Sequence, residues 1–282
     1  TLAQEVDAAG ALLLSRRVQA GDTVALALSQ EPSWQWVLLL GALRIGASVV
    51  VLGAHPIAQL RVLPGAAPHV VAFRNSPLSR LPGIRPIEIN RSELGSLLTV
   101  RRVLGLPAAV AADTTAGLIL FGGARTSDMV CPIRLDAPLL LARCEQAARQ
   151  HAFGPTTRLF SALGPANPLA LEAVLATWWA GGAVAFALAG ETTGVTLARV
   201  KPDRVLIAPP LLPGLLTAAG AQAVAGCAQR RLLVAGGPLP LQLARQASRV
   251  LAADVRLLLS APESSLFSIG ALQDLETGPG CV

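Results

Sequence analysis

The 282 residues contain no tyrosine, one lysine and one methionine, and charged side chains make up only 14% of the chain. With 52% hydrophobic residues the chain cannot be an intrinsically disordered one, which needs low hydrophobicity and high charge. Four cysteines (Cys131, Cys144, Cys227, Cys281) are too far apart for a paired-cysteine metal site or a small disulfide framework. Their spacing fits a reducing compartment, so a cytoplasmic location is expected. His55, His69 and His151 are equally isolated and read as histidines of loops or element ends. The net charge of +6 comes almost wholly from 22 arginines, which form doublets but no stripe. Without interleaved aromatics they read as a solvated surface, and no nucleic-acid groove is expected.

Two long uncharged runs, 173–190 and 205–229, raise the question of a membrane span. The first is broken by Gly181-Gly182 and the second by Pro209, Pro210 and Pro213. Such breaks suit a strand and a helix joined by a turn, so no spanning segment is expected. Glu5 and Asp7 stand where a signal peptide would carry basic residues.

The rest of the chain alternates. Helical spacing over 2–18, 33–45, 137–151, 168–180, 192–199, 210–219 and 239–252 is interleaved with apolar runs at 24–28, 48–52, 69–73, 86–89, 117–121, 158–162, 183–188, 204–208, 231–236 and 255–260. Continuous apolar strands between helices predict an α/β fold with largely parallel sheets covered on both faces. Residues 91–116 read as a connection, which divides the chain into 1–112 and 113–282, with 117–121 opening the second half. Ligands of such folds sit beyond the carboxyl ends of strands, so the loops after Phe121, Ala162, Gly236 and Ser260 are the informative ones.

Several segments, taken in order, resemble the large N-terminal domain of the adenylate-forming superfamily of acyl- and aryl-CoA synthetases, luciferases and peptide-synthetase adenylation domains. They are Gly21-Asp22-Thr23-Val24-Ala25, Ile45-Gly46-Ala47 leading to Leu52, Val200-Lys201-Pro202-Asp203 leading to Ala208-Pro209-Pro210, and Val234-Ala235-Gly236-Gly237-Pro238-Leu239. The resemblance implies two consecutive αβα layered subdomains. It also implies that Gly236 and Gly237 pack on adenine.

The catalytic motifs depart from the family pattern. The family's phosphate loop is a Ser/Thr- and Gly-rich run closing on Pro-Lys-Gly, where backbone N–H groups and a lysine meet the triphosphate. Here the strand is followed by Gly122-Gly123-Ala124-Arg125-Thr126-Ser127-Asp128-Met129-Val130. Thr126 keeps its identity and Arg125 is placed to meet a phosphate. Val130 holds the lysine position, and Asp128 would repel the ligand by about 4 kcal/mol at contact. The family's second motif supplies a stacking tyrosine and a carboxylate for Mg²⁺. The local text is Ser260-Ala261-Pro262-Glu263-Ser264-Ser265, which puts Glu263 on the metal-binding carboxylate in one register and Ser265 there in another. The chain stops at Val282, where the family pattern continues into a C-terminal domain with a catalytic lysine. A break in mid-pattern and a start at Thr1 fit a piece cut from a longer polypeptide, and an excised initiator Met explains the start equally well.

Three functions are compatible with this text. In the first, a degenerate adenylate-forming-like domain has lost nucleotide chemistry and acts as a scaffold, touching a carrier protein or a neighbouring domain. The second is a ligase that makes acyl-AMP from ATP-Mg²⁺ and a carboxylic acid through Arg125, Thr126, Gly236, Gly237 and Glu263, the last on the metal. The third is a generic α/β protein binding an apolar molecule between Trp178, Trp179 and the helix at 210–219.

Overall fold

Runs such as Val24-Ala25-Leu26, Val49-Val50-Val51 and Val70-Val71-Ala72 are apolar at every position and fully covered. β-branched side chains on both faces favour a strand buried on both sides, and that is what each forms. The computed structural model describes residues 1–28, 31–90, 92–93, 95, 116–122, 131–188, 190–217, 230–251 and 253–272. Two compact units divide at Leu141/Ala142.

The first unit contains α1 (Leu2–Ser15), β1 (Thr23–Ala27), α2 (Pro32–Arg44), β2 (Ser48–Val51), α3 (Pro56–Arg61), β3 (His69–Phe73), a 3₁₀ turn (Pro77–Arg80), β4 (Arg85–Ile89), β5 (Gly117–Gly122) and β6 (Cys131–Asp136). Among the described residues these strands form one six-stranded sheet in the order β4-β3-β1-β2-β5-β6. Its pairs are parallel except the last, where β6 runs antiparallel to β5. Ala25, Val50, Leu52, Leu60, Val70 and Ile119 form a buried cluster there.

Helix α4 (Ala137–His151) follows β6 directly, and its residues from Ala142 onward belong to the second unit. That unit continues with β7 (Arg158–Ser161), α5 (Pro168–Trp179), β8 (Ala183–Ala185), α6 (Thr193–Val200), β9 (Arg204–Ile207), a 3₁₀ turn (Pro209–Leu211), α7 (Leu212–Leu215), β10 (Arg230–Ala235), α8 (Leu241–Leu251), β11 (Ala253–Ala261) and β12 (Ser265–Ala271). Its sheet runs β12-β11-β10-β9-β7-β8, parallel except for the β11–β12 hairpin. The core joins Phe160, Val205, Ile207, Leu232 and Val234 from the sheet to Leu212, Leu239, Ala244, Ala247 and Leu251.

Helix ends follow their local chemistry. Asn167 caps α5 by accepting from the N–H groups of Leu169 and Ala170 at 3.0 and 3.1 Å, with Pro168 at the first helical position. Lys201, the single lysine, closes α6 in the left-handed region at φ +48°.

The expected α/β fold in two layered subdomains is the observed one. The expected division at 112/113 is not where the contacts fall. Strand 117–121 pairs in parallel with β2 and carries the first sheet outward, so it does not open the second unit. Of the expected helix at 210–219, the described part to Thr217 is a 3₁₀ turn followed by four α-helical residues, and 218–219 lie outside the described residues. The strand expected at 183–188 is three residues long. Among the described residues no helix is long and apolar enough to cross a membrane.

Candidate functional site

In the second unit the parallel strands β7, β9, β10 and β11 point their carboxyl ends to one edge of the sheet, where ligands of open α/β folds bind. The loop after β10 begins at Gly236, with φ +91°, a conformation that suits only glycine without strain. A Cβ at Gly236 would lie 3.7 Å from Nδ2 of the cap residue Asn167, and one at Gly237 would lie 4.0 Å from Cγ of Pro209 in the loop after β9. The two glycines therefore stand between the loops that follow β7 and β9, an open backbone surface against which a flat group could lie.

Glu263 lies in the turn of the β11–β12 hairpin, one strand further along, with its side chain exposed. The turn is fixed from two sides. Arg143 of α4 is 8% exposed and donates from Nη1 to the carbonyl of Pro262 and from Nη2 to that of Glu263, both at 2.8 Å. Ser265, buried and in the left-handed region at φ +65°, donates to the carboxylate of Glu172 of α5 at 2.5 Å. Glu172 is itself buried, and together with burial it pushes the neighbouring Cys144 thiol up to about 11. Burial is the larger cause. Cys144 thus stays a protonated, unreactive thiol.

The expected site residues meet this geometry unequally. Gly236, Gly237 and Glu263 follow adjacent strands at the same sheet edge, whereas Arg125 and Thr126 fall outside the described residues. Ser265, the alternative metal position, points inward and is taken by Glu172. Among the described residues no group of three or more His, Cys, Asp and Glu side chains is arranged to hold a metal ion. Arg143 and Glu172 were not legible as site residues. Their positions in helical text carry no motif, and only the folded hairpin brings partners to them.

Charge is distributed unevenly along these strands. The amino ends carry Arg158, Asp203, Arg204, Arg230, Arg231, Asp254 and Arg256, joined by pairs such as Arg231–Asp254 at 3.0 Å and Arg256–Asp254 at 2.8 Å. At the carboxyl ends, the loops 162–167 after β7, 208–211 after β9 and 236–240 after β10 contain no charged residue, and Glu263 is the charge after β11. Arg143, at the hairpin turn, has both terminal nitrogens on carbonyls. A triphosphate needs cations or aimed N–H groups where its charge lies. The described residues fit a flat, uncharged group better than they fit ATP-Mg²⁺.

The aromatic alternative also has its residues placed. Trp178 packs edge-on against Phe186 with ring centres 6.5 Å apart, Trp179 is 55% exposed, and Leu212 and Leu215 belong to the core. The core cluster of Leu212 and Leu215 includes neither tryptophan.

This layered α/β architecture has counterparts among solved structures. No family model matches the sequence, and no curated protein matches it. The chain has the fold of the N-terminal part of adenylate-forming enzymes. MatB from Rhodopseudomonas palustris, in a structure with ATP bound, superposes with a TM-score of 0.75 at 17% identity, over 96% of this chain and 56% of that one. VinN gives 0.78 at 16% identity, over 99% of this chain and 71% of its own. The o-succinylbenzoate CoA synthetase MenE from Bacillus subtilis gives 0.77 at 16% identity, over 98% and 56%. The chain thus spans a little over half the length of MatB and MenE, and at these identities the likeness is one of fold.

Proposed function

We propose that this chain is a degenerate adenylate-forming domain that keeps the layered fold but not the nucleotide chemistry, and works as a scaffold or protein-contact module. The observation that carries this reading is the uncharged carboxyl edge of the second sheet. The described loops at that edge, 162–167, 208–211 and 236–240, carry no charged side chain. The sequence points the same way: Asp128 and Val130 lie in the phosphate-loop stretch, and no tyrosine exists to stack on adenine. Losing one oriented or charged group at such a transition state costs several kcal/mol, and here several are missing together. The partner we propose is a carrier protein or a neighbouring domain, in the cytoplasm, where the free Cys131 and Cys144 would stay reduced.

The competing reading, a ligase forming acyl-AMP, draws support from the ATP-bound state of MatB and from the open Gly236-Gly237 turn. Calorimetry with ATP-Mg²⁺, paired with carboxylate-dependent pyrophosphate exchange, separates the two. The scaffold reading expects neither saturable binding nor exchange. Both together would replace it with the ligase. Saturable binding without exchange would make the chain a nucleotide-sensing domain.

A further inference from the structure

From Pro32 to Ile87 the chain has no acidic residue and five arginines, Arg44, Arg61, Arg74, Arg80 and Arg85. Arg44 and Arg85 are engaged by acids from outside that stretch, Asp7 at 3.3 Å and Asp22 at 3.6 Å. Arg61, at the end of α3, is exposed, and its guanidinium makes no ion pair among the described residues. It stands at a cavity of about 490 Å³ in the first unit, and among the described residues it is the one charge in the wall.

A short helix and two turns build that cavity. Helix α3 stops after six residues, and the chain returns to β3 through Gly65 at φ +94°. Opposite, residues 81–84 lead from the 3₁₀ turn into β4 through Gly83 at φ +77°. The two walls are tied where the strands begin, the N–H of Arg85 donating to the carbonyl of Pro68 at 2.8 Å. Pro64, Pro68 and Pro82 fix the backbone of both turns, so the opening is held by the chain itself. Its floor is apolar: Leu60 belongs to the buried cluster of the first sheet, and Leu63, Leu81 and Ile84 pack against it. Ile57, 45% exposed, stands one helical turn before Arg61 and therefore on the same face of α3.

We propose that this cavity binds one small amphipathic anion, an unbranched apolar chain on Leu60, Leu63, Leu81 and Ile84 with its carboxylate or phosphate at Arg61. The volume is that of a small-molecule site, apolar with one placed polar group. An apolar wall alone would accept any hydrocarbon, and the guanidinium supplies the selection. It takes an oxyanion through paired N–H bonds, and no acid of the surrounding stretch competes for it. Walls already fixed by proline lose little freedom when a ligand settles between them. The cavity is lined by the first unit, whereas the glycine turn after β10 belongs to the second. Binding here needs no nucleotide, and its failure would leave the scaffold reading untouched.

The test is an NMR titration of the whole chain, without nucleotide, using hexanoate, octanoate, decanoate, decyl phosphate and decanol below their micelle concentrations. Saturable amide shifts are expected within 57–68 and 81–85, Gly65 and Gly83 among them. Affinity for the acids should rise about fourfold with each added methylene, the effect of burying the tail. Arg61→Gln should weaken decanoate and decyl phosphate about fivefold and leave decanol unchanged, as removal of a partly solvated ion pair does. The tighter of the two anions in the unaltered chain identifies the head group. Ile57→Asn, also at an exposed position, should weaken acid and alcohol alike. Absence of saturable decanoate binding overturns the proposal. So does an affinity indifferent to chain length or to Arg61→Gln, or one whose shifts centre on other residues.

Discussion

Arg143 sits among apolar and small residues of α4, where nothing in the text marks it out. Its guanidinium is nevertheless the tie that holds the carbonyls of Pro262 and Glu263. Charge-assisted bonds of this kind contribute more than neutral ones, and removing the donor strands two carbonyls. Arg143→Met should cost about 3 kcal/mol in urea unfolding, and amide exchange should rise first in the hairpin turn. His151 illustrates the opposite relation to charge. Burial first, then Arg231 and Arg204, lower it from 6.5 to about 4, so the folded chain holds it neutral. Between those two values the unfolded chain binds more protons, and stability therefore rises with pH across that window. Acidification from pH 6.5 toward 4 should remove about 3 kcal/mol through this group, and His151→Leu should flatten that slope in a pH series of unfolding midpoints. The sequence placed His151 at an element end, which is correct. Its burial was hidden because it depends on Phe153, with ring centres 5.1 Å apart, and on β10, far away in sequence.

At the scale of elements, α1 and α2 come together through small residues. A Cβ at Gly41 would lie 2.8 Å from Cβ of Ala9 and 2.9 Å from the backbone N of Gly10, so the two helices touch with no side chain between them at this point. Gly41→Ala improves helix propensity but forces that contact apart. The net effect should be a loss of about 1–2 kcal/mol, read from the urea midpoint, because overpacking against backbone outweighs the propensity gain. The buried parallel strands were legible because full burial demands unbroken apolar text, as at 48–52 and 231–236. The outer antiparallel strands were not. β6 reads Cys-Pro-Ile-Arg-Leu-Asp, half-exposed and carrying a proline, and β12 follows a turn that looked like the end of the pattern. The same limit moved the boundary between units. Assigning 117–121 to the first sheet requires knowing that it lies beside β2, and pairing partners are not written in a strand's own composition. Of the candidate site, the glycine turn after β10 announced itself through its residues, while the clamp on the hairpin exists only once α4 and α5 are folded.

At the scale of the whole molecule, a net charge of +6 built from 22 arginines attracts ATP with or without a site. A weak heat of binding would therefore not identify a nucleotide cradle, and salt provides the discrimination. Attraction to scattered exposed guanidinium groups is screened once the Debye length falls below their spacing, from about 10 Å at 0.1 M to about 3 Å at 1 M. Binding seated in a cradle at the Gly236-Gly237 turn would involve short, partly enclosed contacts that salt weakens less. Gly237 offers a second lever. It lacks the positive φ of Gly236, and a Cβ there lies no closer than 4.0 Å to Pro209, so valine fits the backbone while covering the open surface. The degenerate reading expects any ATP association to disappear between about 0.05 and 0.3 M NaCl. It also expects that association to be indifferent to Gly237→Val and to Mg²⁺. Affinity that survives the salt and is lost on Gly237→Val would place nucleotide at the carboxyl edge of the second sheet, against the charge distribution that argues it away.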